Sequence, residues 1–369
     1  MRPDAAALAL ALAAAPLAAE TFPSSAGPLR VERVADGLAH PWALAFLPDG
    51  RILVTERPGR LRVVENGRVS DPIEGVPEVH DWGQGGLLDV TPARDFAESG
   101  TLFLSFSEPA GGSRARTAVA RARLEGDRLE DVAVIFRQEP ALEGGRHFGS
   151  RVVEGADGTL FVTLGDRGRR SMVQDPAHHV GKLVRIAPDG SVPPDNPLVG
   201  RDGHAPEIFS IGHRNTQGAD LDAGGRLWVV AHGARGGDEI NRPEAGRNYG
   251  WPVISYGRHY SGAPIGEGTE KPGMEQPLHV WDPSIAPSGL TVYDGALFAD
   301  WAGDVFVGAL RGEMVVRVEI ADGAPTGAEE RLFEAAFGRI RDVETGPDGA
   351  LWFVTDDDPG GLYRVTPAH

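Results

Sequence analysis

The sequence predicts an all-β chain folded as a six-bladed β-propeller of four-stranded antiparallel blades. Three observations lead there. Apolar runs are short, rich in Val, Leu, Phe and Trp, and closed by Gly, Asp or Pro in a chain with 50 Gly and 29 Pro. That is the pattern of strands joined by tight turns. One phrase, a turn glycine followed by a strand, recurs six times. It recurs through the whole chain, which stacked β-sandwiches would not explain, whereas radial closure of repeated blades leaves few exposed edges.

The chain begins MRPDAAALALALAAAPLAAE, with Arg2, an apolar Ala/Leu stretch and small residues before Glu20. It is too short and too Ala-rich for a membrane span and reads as a secretory signal cleaved near Ala19. Residues 1–19 are therefore assigned to a signal peptide and 20–369 to a single propeller domain. A periplasmic or secreted protein fits, and without cysteine it carries neither disulfides nor a thiol site.

The repeated phrase reads DGRILVTE (49–56), SGTLFLSF (99–106), DGTLFVTL (157–164), GGRLWVVA (224–231), AGDVFVGA (302–309) and DGALWFVT (348–355). Its glycines, Gly50, Gly100, Gly158, Gly225, Gly303 and Gly349, fall 46 to 78 residues apart. A four-stranded blade needs roughly 40–50 residues, so the longer intervals carry insertions. These are expected at 168–199, rich in Asp, Pro and His, and at 250–277, rich in Gly and Pro. Such loops are expected to gather on one face and shape a site.

The formal charge of −17 argues against a nucleic-acid partner, since a phosphate backbone would be repelled. A small anionic ligand stays compatible where arginines cluster. No P-loop, dinucleotide fingerprint, zinc-protease helix or nucleophile elbow is present.

His147, in GGRHFGSR (144–151), is the first candidate. A lone histidine near a turn is commonly structural. Asp166, in LGDRG, ends the following strand and can return to the same rim, where a carboxylate on one ring nitrogen fixes the tautomer and frees the other as a base. In IGHRNTQGAD (211–220), Arg214 and Asn215 either make a hydrogen-bonded turn or face a planar acidic ligand, for which a guanidinium offers a bidentate fork. Arg339 and Arg341, in GRIRDVE, fall on the same side of a strand. Two like charges there repel unless they are solvated or face an anion. In HGARGGDEINRPEAGRNYGWP (232–252), the carbonyls of Gly233 and Ala234 can point at a cation. Asp238, Glu239 and the Tyr249 carbonyl add hard oxygen donors of the kind Ca²⁺ accepts.

Seven motifs in order, WGQGGLLDV, GGRHFGSR…LGDRG, QDPAHHVGKLVRI, IGHRNTQG, GDEINRPEAGRNYGWP, PSIAPSGL and GRIRDVETGPDG, resemble the soluble PQQ-dependent aldose sugar dehydrogenases, relatives of soluble quinoprotein glucose dehydrogenase. The resemblance runs from about Val31 to the C-terminus, and the family fold is a six-bladed propeller. It implies that His147 is the general base for the anomeric hydroxyl, that Asp166 orients it, and that Gln84 lies in the substrate pocket. It implies hydride transfer to PQQ, which is held by Arg214, Asn215, Arg339 and Arg341. It also implies an active-site Ca²⁺ on the carbonyls of Gly233 and Ala234 and a second Ca²⁺ at Glu239 and Tyr249. Four positions depart from the glucose dehydrogenase pattern. Arg311 stands where a PQQ-binding lysine is expected, Ser284 for a threonine, Arg146 for an acid before the base, and Ser171 for a sugar-contacting glutamine. These changes and the fairly compact loops favour a broad aldose dehydrogenase over a dedicated glucose enzyme. Electrons are expected to pass to an external acceptor, and the protein is expected to be a monomer or weak dimer. The alternatives are a related sorbosone dehydrogenase, a calcium-dependent propeller lactonase and a non-catalytic binding propeller.

Overall fold

The computed structural model describes residues 19–368, so the expected signal segment lies outside the described residues except for Ala19. Each of the six phrases forms the second strand of its own sheet, and all six turn glycines take φ between 65° and 90°. This left-handed region is nearly closed to other residues and lets the preceding strand reverse.

Blade I comprises Pro41–Phe46, Ile52–Glu56, Arg60–Glu65 and Arg68–Val69. Blade II comprises Leu87–Pro92, Thr101–Pro109, Arg114–Glu125 and Arg128–Arg137, with the short strand Leu142–Glu143 also paired to Arg114–Glu125. Blade III holds Gly149–Glu154, Leu160–Leu164, Lys182–Ile186 and Ile208–Ile211. Blade IV holds Thr216–Leu221, Leu227–Ala231, Asp238–Asn241 and His279–Trp281, and blade V Pro287–Val292, Val305–Ala309, Met314–Ala321 and Ala324–Leu332. Blade VI is built from both ends of the chain. Ile340–Thr345, Leu351–Thr355 and Gly360–Pro367 pair onward to Leu29–Leu38, with Ala19–Phe22 outermost. Pairing is antiparallel throughout these sheets, and two blades thus carry a strand more than the expected four.

The first strand of each blade touches the first strands of both neighbours, closing a ring around a central channel. Apolar side chains fill the wedges between blades, as where Trp42, Leu53, Leu87, Phe106 and Phe148 form one buried cluster across blades I to III. Among the described residues, the only helical elements are Phe96–Ser99 and the 3-10 turns Arg170–Met172 and Ala299–Trp301. No helix among them is long and apolar enough to cross a membrane.

Strand alternation sorts the connections. Links from a second to a third strand, and from a fourth strand to the next blade, emerge on one face. Every candidate residue except Tyr249 lies in such a link or at a strand end beside it. The insertions differ from expectation. The stretch 168–199 contains Lys182–Ile186, the third strand of blade III, so only its first part joins the site face. The other insertion leaves blade IV at the opposite face after Asn241 and climbs back beside blade III. There Asn248 bridges Ile211 in parallel, bringing residues 249–251 to the site.

Candidate active site

His147 precedes the inner strand of blade III with a φ of 56°, a left-handed conformation that costs a non-glycine residue about 1–2 kcal/mol. The turn packs so tightly that a Cβ on Gly165 would lie 1.8 Å from the His147 carbonyl oxygen, which restricts position 165 to glycine. This backbone brings the imidazole to the LGDRG loop, where Nδ1 lies 2.6 Å from Asp166 Oδ1. Asp166 Oδ1 also accepts from the Gly168 N–H at 2.7 Å, and Oδ2 accepts from Trp251 Nε1 at 2.9 Å.

Burial opposes ionisation of Asp166. The hydrogen bond from His147, its charge, the Gly168 N–H and Arg214 outweigh that and hold the carboxyl below its usual range. For His147 burial is the largest influence and lowers its pKa. Asp166 pushes back, while Arg214 and Arg146 add to the lowering. The result is a neutral ring at pH 7 with Nδ1–H committed to Asp166. Nε2 has no protein hydrogen-bond partner among the described residues. Gln84 is tied to the same turn: its Oε1 accepts from the His147 N–H at 2.6 Å, and its own N–H donates to the Gly145 carbonyl at 2.7 Å.

Beside this pair, Arg339 and Arg341 share a pocket of about 220 Å³ with Trp42, Arg57, Gln84, Gln217, His232 and Asp356. The anion that the two arginines face is in part the protein's own. Asp356 Oδ2 accepts from Arg341 Nη2 at 2.7 Å and from Arg339 Nη2 at 3.2 Å. Arg341 Nη1 donates to Gln217 Oε1 at 3.0 Å, and His232 Nε2 lies 3.2 Å from the same oxygen. Three buried guanidinium nitrogens, Nε of Arg57, Arg214 and Arg341, have no partner. Arg214 spans to the metal-loop candidates, donating from Nη1 to the His232 carbonyl at 3.1 Å. Asn215 is partly spent on structure, its Oδ1 accepting from the Gly149 N–H.

The loop after the second strand of blade IV folds back on itself, and no donor among the described residues bonds the carbonyls of Gly233, Ala234 or Tyr249. Asp238 does not serve as a free donor oxygen. Its carboxylate accepts from the N–H groups of Gly233, Ile285 and Ala286 and from Ser284 Oγ. Glu239 lines a void of about 20 Å³ with Gly233, Arg214, Asn241 and Trp251, and burial pushes its carboxyl up to about 7. Ser284 and Arg311 are not brought to the arginine pocket. They line a separate cleft of about 450 Å³ between blades IV and V. Among the described residues no group of three or more His, Asp or Glu side chains is placed to hold a metal, so an ion here would rely on backbone carbonyls.

Below the pocket the channel is closed. Arg151 stacks 4.8 Å from the Trp42 ring centroid and donates at 2.7 Å to both Asp89 and Asp342. Beyond it a funnel of about 730 Å³ opens to the opposite face, lined by Asp89, Asp220 and Glu344. Burial pushes Asp220 up to about 6.

Sequence reasoning passed over Arg57, Gln217, His232, Trp251 and Asp356. Gln217 sits two residues after Asn215, a spacing that shares one side of a strand. His232 and Trp251 lie inside a stretch read only for oxygen donors. Arg57 and Asp356 each directly follow a copy of the repeated phrase, in a link on the site face.

Residues 38–364 match the family described as Glucose / Sorbosone dehydrogenase. The aldose sugar dehydrogenase YliI of Escherichia coli is 44% identical over 346 residues, covering 92% of this chain and 93% of that protein. The crystal structure of the soluble aldose sugar dehydrogenase from Escherichia coli in its apo form superposes with a TM-score of 0.89 at 43% identity, covering 92% of this chain and all of the other. A PQQ-bound aldose sugar dehydrogenase from Streptomyces coelicolor superposes with a TM-score of 0.75 at 28% identity, covering 95% and 100% of the two chains.

Proposed function

The chain belongs to the glucose/sorbosone dehydrogenase family of enzymes, and from that premise we propose that it oxidises aldose sugars at the anomeric carbon to lactones, with PQQ and Ca²⁺ as cofactors. The observation that carries this reading is a neutral, Asp-held histidine with a free Nε2, beside a pocket of buried guanidinium groups that lack partners.

The residues fit such cofactors. Unpaired Nε–H groups of Arg57, Arg214 and Arg341 suit a planar polycarboxylate, which charged hydrogen bonds hold well. The unbonded carbonyls of Gly233 and Ala234 suit a hard cation. The void beside Glu239 has room for one small ion, and a carboxyl raised to about 7 by burial gains most from a positive neighbour. When bound, the quinone of PQQ supplies a two-electron acceptor, and Ca²⁺ supplies Lewis-acid polarisation of its carbonyl.

The chain's own residues do the rest. Gln84 and the strained 145–147 turn set the position of the imidazole. Nε2 of His147 takes the proton of the anomeric hydroxyl as hydride leaves the anomeric carbon, and the sugar becomes its lactone. Asp166 stabilises the imidazolium formed and keeps Nδ1 as the protonated nitrogen. Arg214, Arg339 and Arg341 hold the acceptor's carboxylates, with Asn215 beside them. An external acceptor then collects the electrons, and a periplasmic or secreted site of action follows from the N-terminal signal reading. A calcium-dependent lactonase would need a cluster of acidic ligands, and the described residues offer none.

The test is reconstitution. Purified protein given PQQ and Ca²⁺ is expected to retain quinone absorbance and to reduce a dye with several aldoses. No retained absorbance, together with no reduction by any sugar, refutes the proposal.

A further inference from the structure

We propose that Trp251 is a positioning residue of the His147–Asp166 pair: its indole N–H fixes the second carboxylate oxygen, so that the first alone meets the base. The inference rests on the dehydrogenase reading for its kinetic consequence, though not for its geometry.

Trp251 reaches this place by an unusual route. It lies on the inserted segment of blade IV, 85 residues from Asp166 in sequence, and is anchored at both ends of its peptide. Its N–H donates to the Gly212 carbonyl at 3.0 Å, and its own carbonyl accepts from Gln174 Nε2 at 2.7 Å. The indole is 6% exposed and packs with Val173, Ala234 and Ile265. Its Nε1 donates to Asp166 Oδ2 at 2.9 Å, while Oδ1 is 2.6 Å from His147 Nδ1. The guanidinium carbons of Arg170 and Arg214 lie 5.3 and 5.4 Å from the ring centroid, within cation–π range.

A buried carboxylate is free to turn about its terminal torsion unless both oxygens are held. With the Gly168 N–H and His147 on one oxygen and Trp251 on the other, only one orientation satisfies every donor. Removing the indole N–H leaves Oδ2 buried and unpaired. That charge then falls more heavily on Oδ1, which binds the imidazolium proton more tightly and makes His147 more basic. The charged and titratable groups facing the pair are Arg146, Arg167, Arg214 and His232, and none is altered by the substitution below. Trp251 also touches Ala234 and Arg214, so one side chain braces the base and the neighbouring arginine together.

The experiment is Trp251→Phe, which keeps an aromatic ring under Arg214 and removes the N–H together with part of the buried ring. The histidine resonances of the cofactor-free protein, titrated by NMR, are expected to show the His147 pKa raised by on the order of one unit. In the PQQ- and Ca²⁺-loaded enzyme kcat is expected to fall on its acid limb by up to about tenfold, the limit a one-unit shift allows, with that limb moved to higher pH and KM for the aldose within about twofold. A folded Trp251→Phe protein with an unchanged His147 pKa overturns the inference. Should the variant not fold, the wild-type protein decides: the Trp251 indole N–H resonance must titrate with the His147 midpoint, and an invariant resonance overturns the inference equally. Failure of the wild-type protein to reduce dye with any aldose would instead strike the dehydrogenase reading and leave the NMR result standing.

Discussion

Replacing Asp166 by Asn removes one charge from the site and almost no volume. Three donors converge on this carboxylate: His147 Nδ1, the Gly168 N–H and Trp251 Nε1. An amide has only one acceptor oxygen, so its NH₂ must face a donor. If it faces Trp251, a buried donor pair is left unsatisfied, at about 1–3 kcal/mol. If it faces His147, the ring must put its proton on Nε2, and the base is lost. The imidazolium also loses its counter-charge. At about 4 Å and an effective dielectric of about 20 that attraction is worth up to about 4 kcal/mol, or roughly three pH units of basicity as an upper bound. His147 is already below its ordinary value because of burial, so the variant base falls further. Dye reduction by the PQQ- and Ca²⁺-loaded enzyme, followed from pH 5 to 9, is expected to show kcat lower by roughly 10²–10⁴, with KM and PQQ affinity little changed. A variant within about twofold of wild type across that range would refute the pairing as the source of catalysis.

His147→Ala should bind PQQ normally, measured by quinone absorbance, and lose most turnover, again by roughly 10²–10⁴. Arg341→Gln should weaken PQQ binding roughly 10- to 100-fold by titration, the equivalent of one charged hydrogen bond, while leaving the His147 titration in place. Calcium should raise the melting temperature of the wild-type protein, and Glu239→Gln should lose most of that gain. Asp220 supplies a pH test of stability. Its folded pKa of about 6 lies above the unfolded value, so its stabilising contribution is present below about pH 4 and lost as pH rises through 6. Two units correspond to about 3 kcal/mol. Urea denaturation should therefore show Asp220→Asn gaining on wild type by about 2–3 kcal/mol between pH 4 and 7.5, and a pH-independent difference would contradict the assignment.

The parts legible in the sequence are those that repeat or stay local. Turn glycines and the strands after them announce blades, because positive φ and alternating burial act within a few residues. Asp166 could be matched to His147 because a strand and its return bring 147 and 166 to one rim. The strand Lys182–Ile186 hid inside a polar stretch, since five residues among Asp, Pro and His resemble a loop. Arg339 and Arg341 promised an anion, and the chain supplies part of it in Asp356, reached across the next strand and its turn. Asp238 looked like a metal donor and instead gathers four hydrogen bonds from two separate stretches of chain. Trp251 shows the same limit: its role depends on an insertion climbing from the far face, which no local pattern encodes.

Blade VI joins Leu29–Leu38 to the last three strands of the chain, and this sets an order of events during synthesis. The early strand has no sheet to enter until Gly360–Pro367 has been made, so the ring stays open for the whole passage of the polypeptide. Arg341, Asp342 and Asp356 arrive late as well, and with them the partners of Arg339 and Arg151. The arginine pocket and the channel plug are therefore assembled at the end, by the stretch of chain that locks the circle.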